Sequence, residues 1–104
     1  MKFCNVFGLI NDSPEVRAEY KRRHDEIWPE MLDLLRDSGL RNYNIFNVGD
    51  KLIEYYECDL TAEEQAARPK TEVKLRWDAY MSDILVYNPD GSSTALELMF
   101  DFNP

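Results

Sequence analysis

An α+β fold is what this sequence predicts, and three observations predict it. The apolar periodicity changes along the chain in the order strand, helices, two strands, helices, strand. The changeovers are marked by single turn or capping residues, with 4 Gly and 5 Pro scattered over 104 residues and no repeat, linker or low-complexity tract between them. Hydrophobic residues make up 44% and aromatics 12%, which suits one core in a single domain spanning 1–104 and excludes a disordered chain.

Each element follows from a local pattern. Residues 3–10 alternate Phe3, Asn5, Phe7 and Leu9 against Cys4, Val6, Gly8 and Ile10, predicting a strand covered on both faces. Asn11-Asp12-Ser13-Pro14 ends it, and either Asp12 with Glu15 or Ser13 with Pro14 caps the helix that follows. The apolar stripe Val16, Tyr20, Ile27, Met31, Leu34, Leu35 has helical spacing. Pro29 interrupts it, so the segment is two helices or one kinked helix, bent beside His24 and Trp28 and closed by Ser38-Gly39. Residues 40–47 and 51–58, rich in Tyr, Ile, Phe and Leu, flank Val48-Gly49-Asp50 and predict a hairpin. Asp59 to Arg68 is Ala/Glu-rich, and after Pro69 a helical pattern runs through Val73, Trp77, Tyr80 and Ile84. Asn88-Pro89-Asp90-Gly91 is a turn, and Thr94 to Phe102 alternates as a last strand.

That order is the split βαβ arrangement of ferredoxin-like folds: a four-stranded antiparallel sheet with helices on one face. The other face needs a cover. In a chain of this size a second copy about a two-fold axis supplies it, so a homodimer of the dimeric α+β barrel type is expected.

Composition excludes several classes of partner. With 12 Lys+Arg against 20 Asp+Glu the net charge is -8, and Lys21-Arg22-Arg23 is the sole basic cluster, so neither nucleic acid nor an anionic membrane is an expected partner. No apolar run approaches the roughly 20 residues of a membrane span. Met1-Lys2-Phe3-Cys4-Asn5-Val6 carries no export pattern, which points to the cytoplasm. Cys4 and Cys58 lack metal or redox spacing, and with one histidine no metal site is expected. Neither a nucleophile elbow nor a glycine-rich phosphate loop is present.

What remains is a histidine among aromatic rings. His24 is the one side chain whose ordinary titration lies near neutrality, and it falls within the arc of 16, 20, 24, 27 and 31, one turn after Tyr20. A histidine so placed serves either acid/base chemistry or a hydrogen-bonded core. Tyr20, Trp28, Tyr43, Trp77 and Tyr80 add planes with polar tips. Such rings suit a small neutral polyol such as a monosaccharide, and the same rings also fit plain core packing.

Five separated segments then carry a resemblance: Tyr20-Lys21-Arg22-Arg23-His24, Ile27-Trp28-Pro29-Glu30, Asn42-Tyr43-Asn44-Ile45, Arg76-Trp77 with Tyr80-Met81, and Asn88-Pro89-Asp90. Together they resemble the L-rhamnose mutarotase family along nearly the whole chain. The resemblance implies a cofactor-free, cytoplasmic, dimeric ferredoxin-like isomerase that interconverts the α and β anomers of a deoxy-monosaccharide, foremost L-rhamnose. It makes His24 the catalytic acid, and the chemistry of opening and reclosing a hemiacetal then has His24 deliver and retrieve the ring-oxygen proton while a tyrosine hydroxyl or a bound water handles the anomeric one. The resemblance also places Tyr20 and Tyr43 against the sugar, with Trp77 and the next position completing the pocket. Rhamnose-specific members carry two adjacent tryptophans there, whereas this chain has Trp77-Asp78, which replaces a stacking plane with an acceptor and bears on which sugar is bound. Two other readings share the scaffold: a cofactor-free monooxygenase with a more hydrophobic pocket, and a sugar-binding protein without catalysis.

Overall fold

The computed structural model describes residues 1–104. Its first strand, β1 (Lys2–Leu9), leads to a turn in which Ser13 and Pro14 are the cap that is used: Ser13 Oγ accepts the Val16 amide at 3.2 Å and Pro14 sits in the first turn. Asp12 binds Arg17 instead. The helix α1 (Pro14–Asp25) then stops, and Pro29 opens α2 (Pro29–Asp37), so the stripe resolves into two helices. Gly39, at φ +73°, turns the chain out of α2 in the left-handed region that glycine enters without strain.

β2 (Arg41–Val48) and β3 (Lys51–Glu57) form the expected hairpin. Val48 pairs with Lys51 across a two-residue loop whose first member is Gly49 at φ +58°, the glycine-first pattern of a type II′ turn. A bulge between Arg41 and Asn44 falls at Tyr43, where Asn42 takes a left-handed φ of 51°. Thr61 and Glu64 form a reciprocal cap for the short α3 (Ala62–Ala67), and Thr71 caps α4 (Glu72–Met81).

The sheet order is β2-β3-β1-β4, all antiparallel, with β4 (Leu85–Val86) and β5 (Thr94–Ala95) both on the free edge of β1. The fourth strand position is therefore filled in two pieces, separated by the turn at Asn88, whose carbonyl accepts the Gly91 amide at 2.8 Å. Here the sequence expectation needs correcting: regular strand covers Thr94–Ala95 rather than Thr94 to Phe102. With Asn5 opposite Ala95 and the Leu96 amide on the Cys4 carbonyl, continued pairing would bring Leu98 to Lys2, so β1 is used up before Phe100. The arm beyond is held by an ion pair between Lys2 and Asp101 at 2.6 Å.

Directly opposed strand residues share a face. Leu9, Phe7 with Leu52, Asn5 with Glu54 and Phe3 with Tyr56 thus line the inner, helix-bearing face. There Leu9 and Leu52 meet Tyr20, Met31, Trp77, Met81 and Ile84 in the core. The outer face carries Val6, Ile53, Phe46, Val48 and Val86, with no helix against it; Phe46 and Val48 are each 63% exposed.

Candidate active site

Between the inner face and the helices lies a cleft of about 930 Å³, lined by Tyr20 and His24 from α1, Trp77 from α4, Tyr43 from β2 and Glu54 and Tyr56 from β3. The helical spacing that places Tyr20 and His24 one turn apart aims both at the sheet.

His24 is half-buried, 4.3 Å from the Tyr20 ring and edge-on to Trp77 at 5.4 Å, centroid to centroid. Its Nδ1 lies 3.0 Å from the Tyr20 carbonyl oxygen. A carbonyl can only accept, so Nδ1 carries the proton and Nε2 is left with its lone pair. Burial pushes the His24 pKa below its ordinary value, partly opposed by that hydrogen bond and by Asp25. At neutral pH the side chain is a base.

Every buried side-chain nitrogen or oxygen in the molecule has a hydrogen-bond partner. His24 Nε2, the Tyr20 hydroxyl and Trp77 Nε1 have none within the protein, so each is open rather than sealed, and all three belong to residues of the cleft. Unpartnered polar atoms among aromatic walls are what an uncharged polyol needs.

On the sheet wall Tyr43 donates its hydroxyl to the Glu54 carboxylate, whose other oxygen accepts from Asn5 Nδ2 at 3.3 Å. The Tyr43 ring is 37% exposed, yet the shielding of its hydroxyl end, followed by the Glu54 charge, holds its pKa well above the usual range. Burial, then the neighbouring Tyr87 and Glu54, likewise raises that of Tyr20. Tyr87, stacked on Phe7 at 5.4 Å, is pushed up to about 12 by burial, then by Asp78 and Glu54.

The helix wall is braced from behind. Arg23, only 8% exposed, donates to the Tyr80 carbonyl and to Asp83, both at 2.8 Å, and lies over the Tyr80 ring, which ties α1 to the C-terminal end of α4 beside His24. Arg22 and Arg23 together hold the Glu19 carboxyl down at about 2. Trp77 meets Trp28 edge-on at 5.2 Å and Tyr80 edge-on at 5.7 Å, centroid to centroid. These two rings support Trp77 and do not line the cleft.

The structure thus brings Tyr20, His24, Tyr43 and Trp77 together and leaves Asp78 out. Its carboxylate is not in the cleft lining but is paired with Lys74 at 2.5 Å and Lys70 at 3.4 Å, two lysines that do line it. Adjacent helical positions point about 100° apart, so Asp78 turns from the direction of Trp77 toward the residue one turn back. Glu54 and Asn5 were not singled out by sequence reasoning. The available signal was a charged residue at an inward position between Leu52 and Tyr56. No group of three or more His, Cys, Asp or Glu side chains is placed to hold a metal ion, and no helix is long and apolar enough to cross a membrane.

A ferredoxin-like α+β protein, with a single histidine set among aromatic rings in a cleft, is the class that fold and site define. More particularly, the chain belongs to the L-rhamnose mutarotase family, whose family model matches residues 2–102, and it is accordingly an isomerase. An L-rhamnose mutarotase of Tolumonas auensis is 48% identical over 92 residues, covering 86% of this chain and 88% of its own. One of Rhizobium johnstonii is 39% identical over 92 residues, covering 88% and 87%. Among solved structures, the L-rhamnose mutarotase FA22100 of Formosa agariphila superposes with a TM-score of 0.81 at 30% identity, covering 99% of both chains.

Proposed function

We propose that this cleft interconverts the α and β anomers of L-rhamnose, with His24 carrying the proton. The observation that supports the reading best is the open Nε2 of a histidine whose Nδ1 proton is already engaged by the Tyr20 carbonyl. Neutral His24 takes the anomeric hydroxyl proton at Nε2, and the imidazolium so formed protonates the ring oxygen as the C1–O5 bond breaks. Rotation about C1–C2 turns the other face of the aldehyde to the ring oxygen, which attacks C1. Its proton returns to Nε2 and passes to the new anomeric oxygen, directly or through one water. The net change is zero in protons and electrons. Tyr20 and Tyr43, both held above the usual tyrosine range, keep their protons and act as hydrogen-bond partners. Saturation-difference NMR on the C1 protons tests this: catalytic amounts of protein should speed exchange between the anomers of L-rhamnose above the spontaneous rate, and exchange equal to buffer alone would refute it.

We also propose a homodimer. The outer sheet face and the arm present Phe46, Val48, Leu98, Phe100 and Phe102, each more than 60% exposed, beside a strand with unpaired backbone groups. A second copy covers both at once.

A further inference from the structure

We propose that Glu54 fixes the hydrogen-bonding polarity of Tyr43, so that Tyr43 meets the sugar as an acceptor and selects a hydroxyl that donates to the sheet wall. This positioning role rests on the mutarotase reading of the cleft. Three strands build the unit: Asn5 on β1, Glu54 on β3 and Tyr43 at the bulge of β2. Glu54 stands on an otherwise apolar inner row between Leu52 and Tyr56, where a charged side chain has no packing reason to be.

Its two oxygens are both engaged, one by the Asn5 amide at 3.3 Å and the other by the Tyr43 hydroxyl. A carboxylate can only accept, so the single proton of Tyr43 is committed to Glu54 and the phenol oxygen offers the cleft lone pairs alone. The helix wall differs. Trp77 Nε1 can only donate, the free Tyr20 hydroxyl can do either, and neutral His24 Nε2 accepts. A sugar bridging the walls must therefore place a hydroxyl hydrogen on Tyr43. An analogue with a methoxy or keto group there sets two acceptors face to face, and buried mismatches of that kind are the ones a polar site rejects most strongly.

Glu54→Gln is nearly isosteric but brings an NH₂ group. With its oxygen kept on Asn5, the amide nitrogen donates to the Tyr43 oxygen and turns the phenol proton toward the sugar. We expect the KM and the directly titrated Kd for L-rhamnose to rise about 10- to 100-fold, the range of a hydrogen bond that involves a charged group. kcat should stay within about threefold, because the proton carrier is His24. Tyr43→Phe should raise both constants similarly, and the double variant should be no worse than either single one, since Glu54 acts through Tyr43. A fall in kcat at unchanged KM, or single effects that add in the double variant, would overturn the proposal. Kd is read without catalysis. A wild type that binds L-rhamnose but does not speed anomer exchange refutes the mutarotase reading while the Kd pattern still decides the role of Glu54, and a wild type that does neither overturns both.

Discussion

His24→Ala should lower catalysed anomer exchange of L-rhamnose by about 10²–10⁴-fold, the contribution of one positioned acid/base group. The substitution removes the base whose Nε2 is open to the cleft and leaves the rest of the aromatic wall, since Trp77 is still braced by Trp28 and Tyr80. The one hydrogen bond the ring makes is to the carbonyl of its own helix, so the fold should survive. A thermal melt separates loss of chemistry from loss of structure. Because mutarotation also proceeds in water, the variant falls to the spontaneous rate rather than to zero. An exchange rate equal to wild type in a folded variant removes His24 from the mechanism.

Leu98→Asp combined with Phe100→Asp should convert the proposed dimer to a folded monomer of 12.3 kDa by sedimentation or light scattering, where the wild type is expected to give twice that mass. Leu98 is 61% and Phe100 80% exposed within one chain, so neither contributes much to its core and the monomer loses little by the change. Across a two-fold interface each substitution is felt twice, and unpaired charge is placed where apolar surface had been buried. A wild type that sediments as a monomer at micromolar concentration contradicts the proposed assembly.

Much of the fold was legible in the sequence because its signals are local. Ser13-Pro14, Pro29, Gly39 and Gly49 each act within one turn of themselves, and the strands and helices begin and end where these residues place them. The last strand was overread because alternation reports which faces are apolar and not whether a partner strand is still available; past Lys2 there is none within the chain. In the site, Tyr20 and His24 were legible from helical spacing, while Tyr43 and Trp77 stood out only as aromatic rings and were set against the sugar by the family resemblance. Glu54 was hidden among 20 acids, since only strand register reveals that it faces inward opposite Asn5. Asp78 was misplaced for the complementary reason: sequence adjacency to Trp77 does not give a shared direction on a helix, and its carboxylate found Lys74.

His24 is the chain's single histidine, so its ring signals in NMR belong to one residue, and its pH titration can be followed alongside the rate of L-rhamnose anomer exchange in the same samples. Burial lowers the folded-state pKa, so the neutral ring persists to below its ordinary value of 6.5, and protonation then removes the Nε2 lone pair. We expect an Nδ1–H tautomer, a midpoint below 6.5 and kcat/KM that is retained through neutrality and lost as pH falls through that same midpoint. An Nε2–H tautomer, or activity that stays flat or rises as His24 becomes charged, would contradict the proposed mechanism.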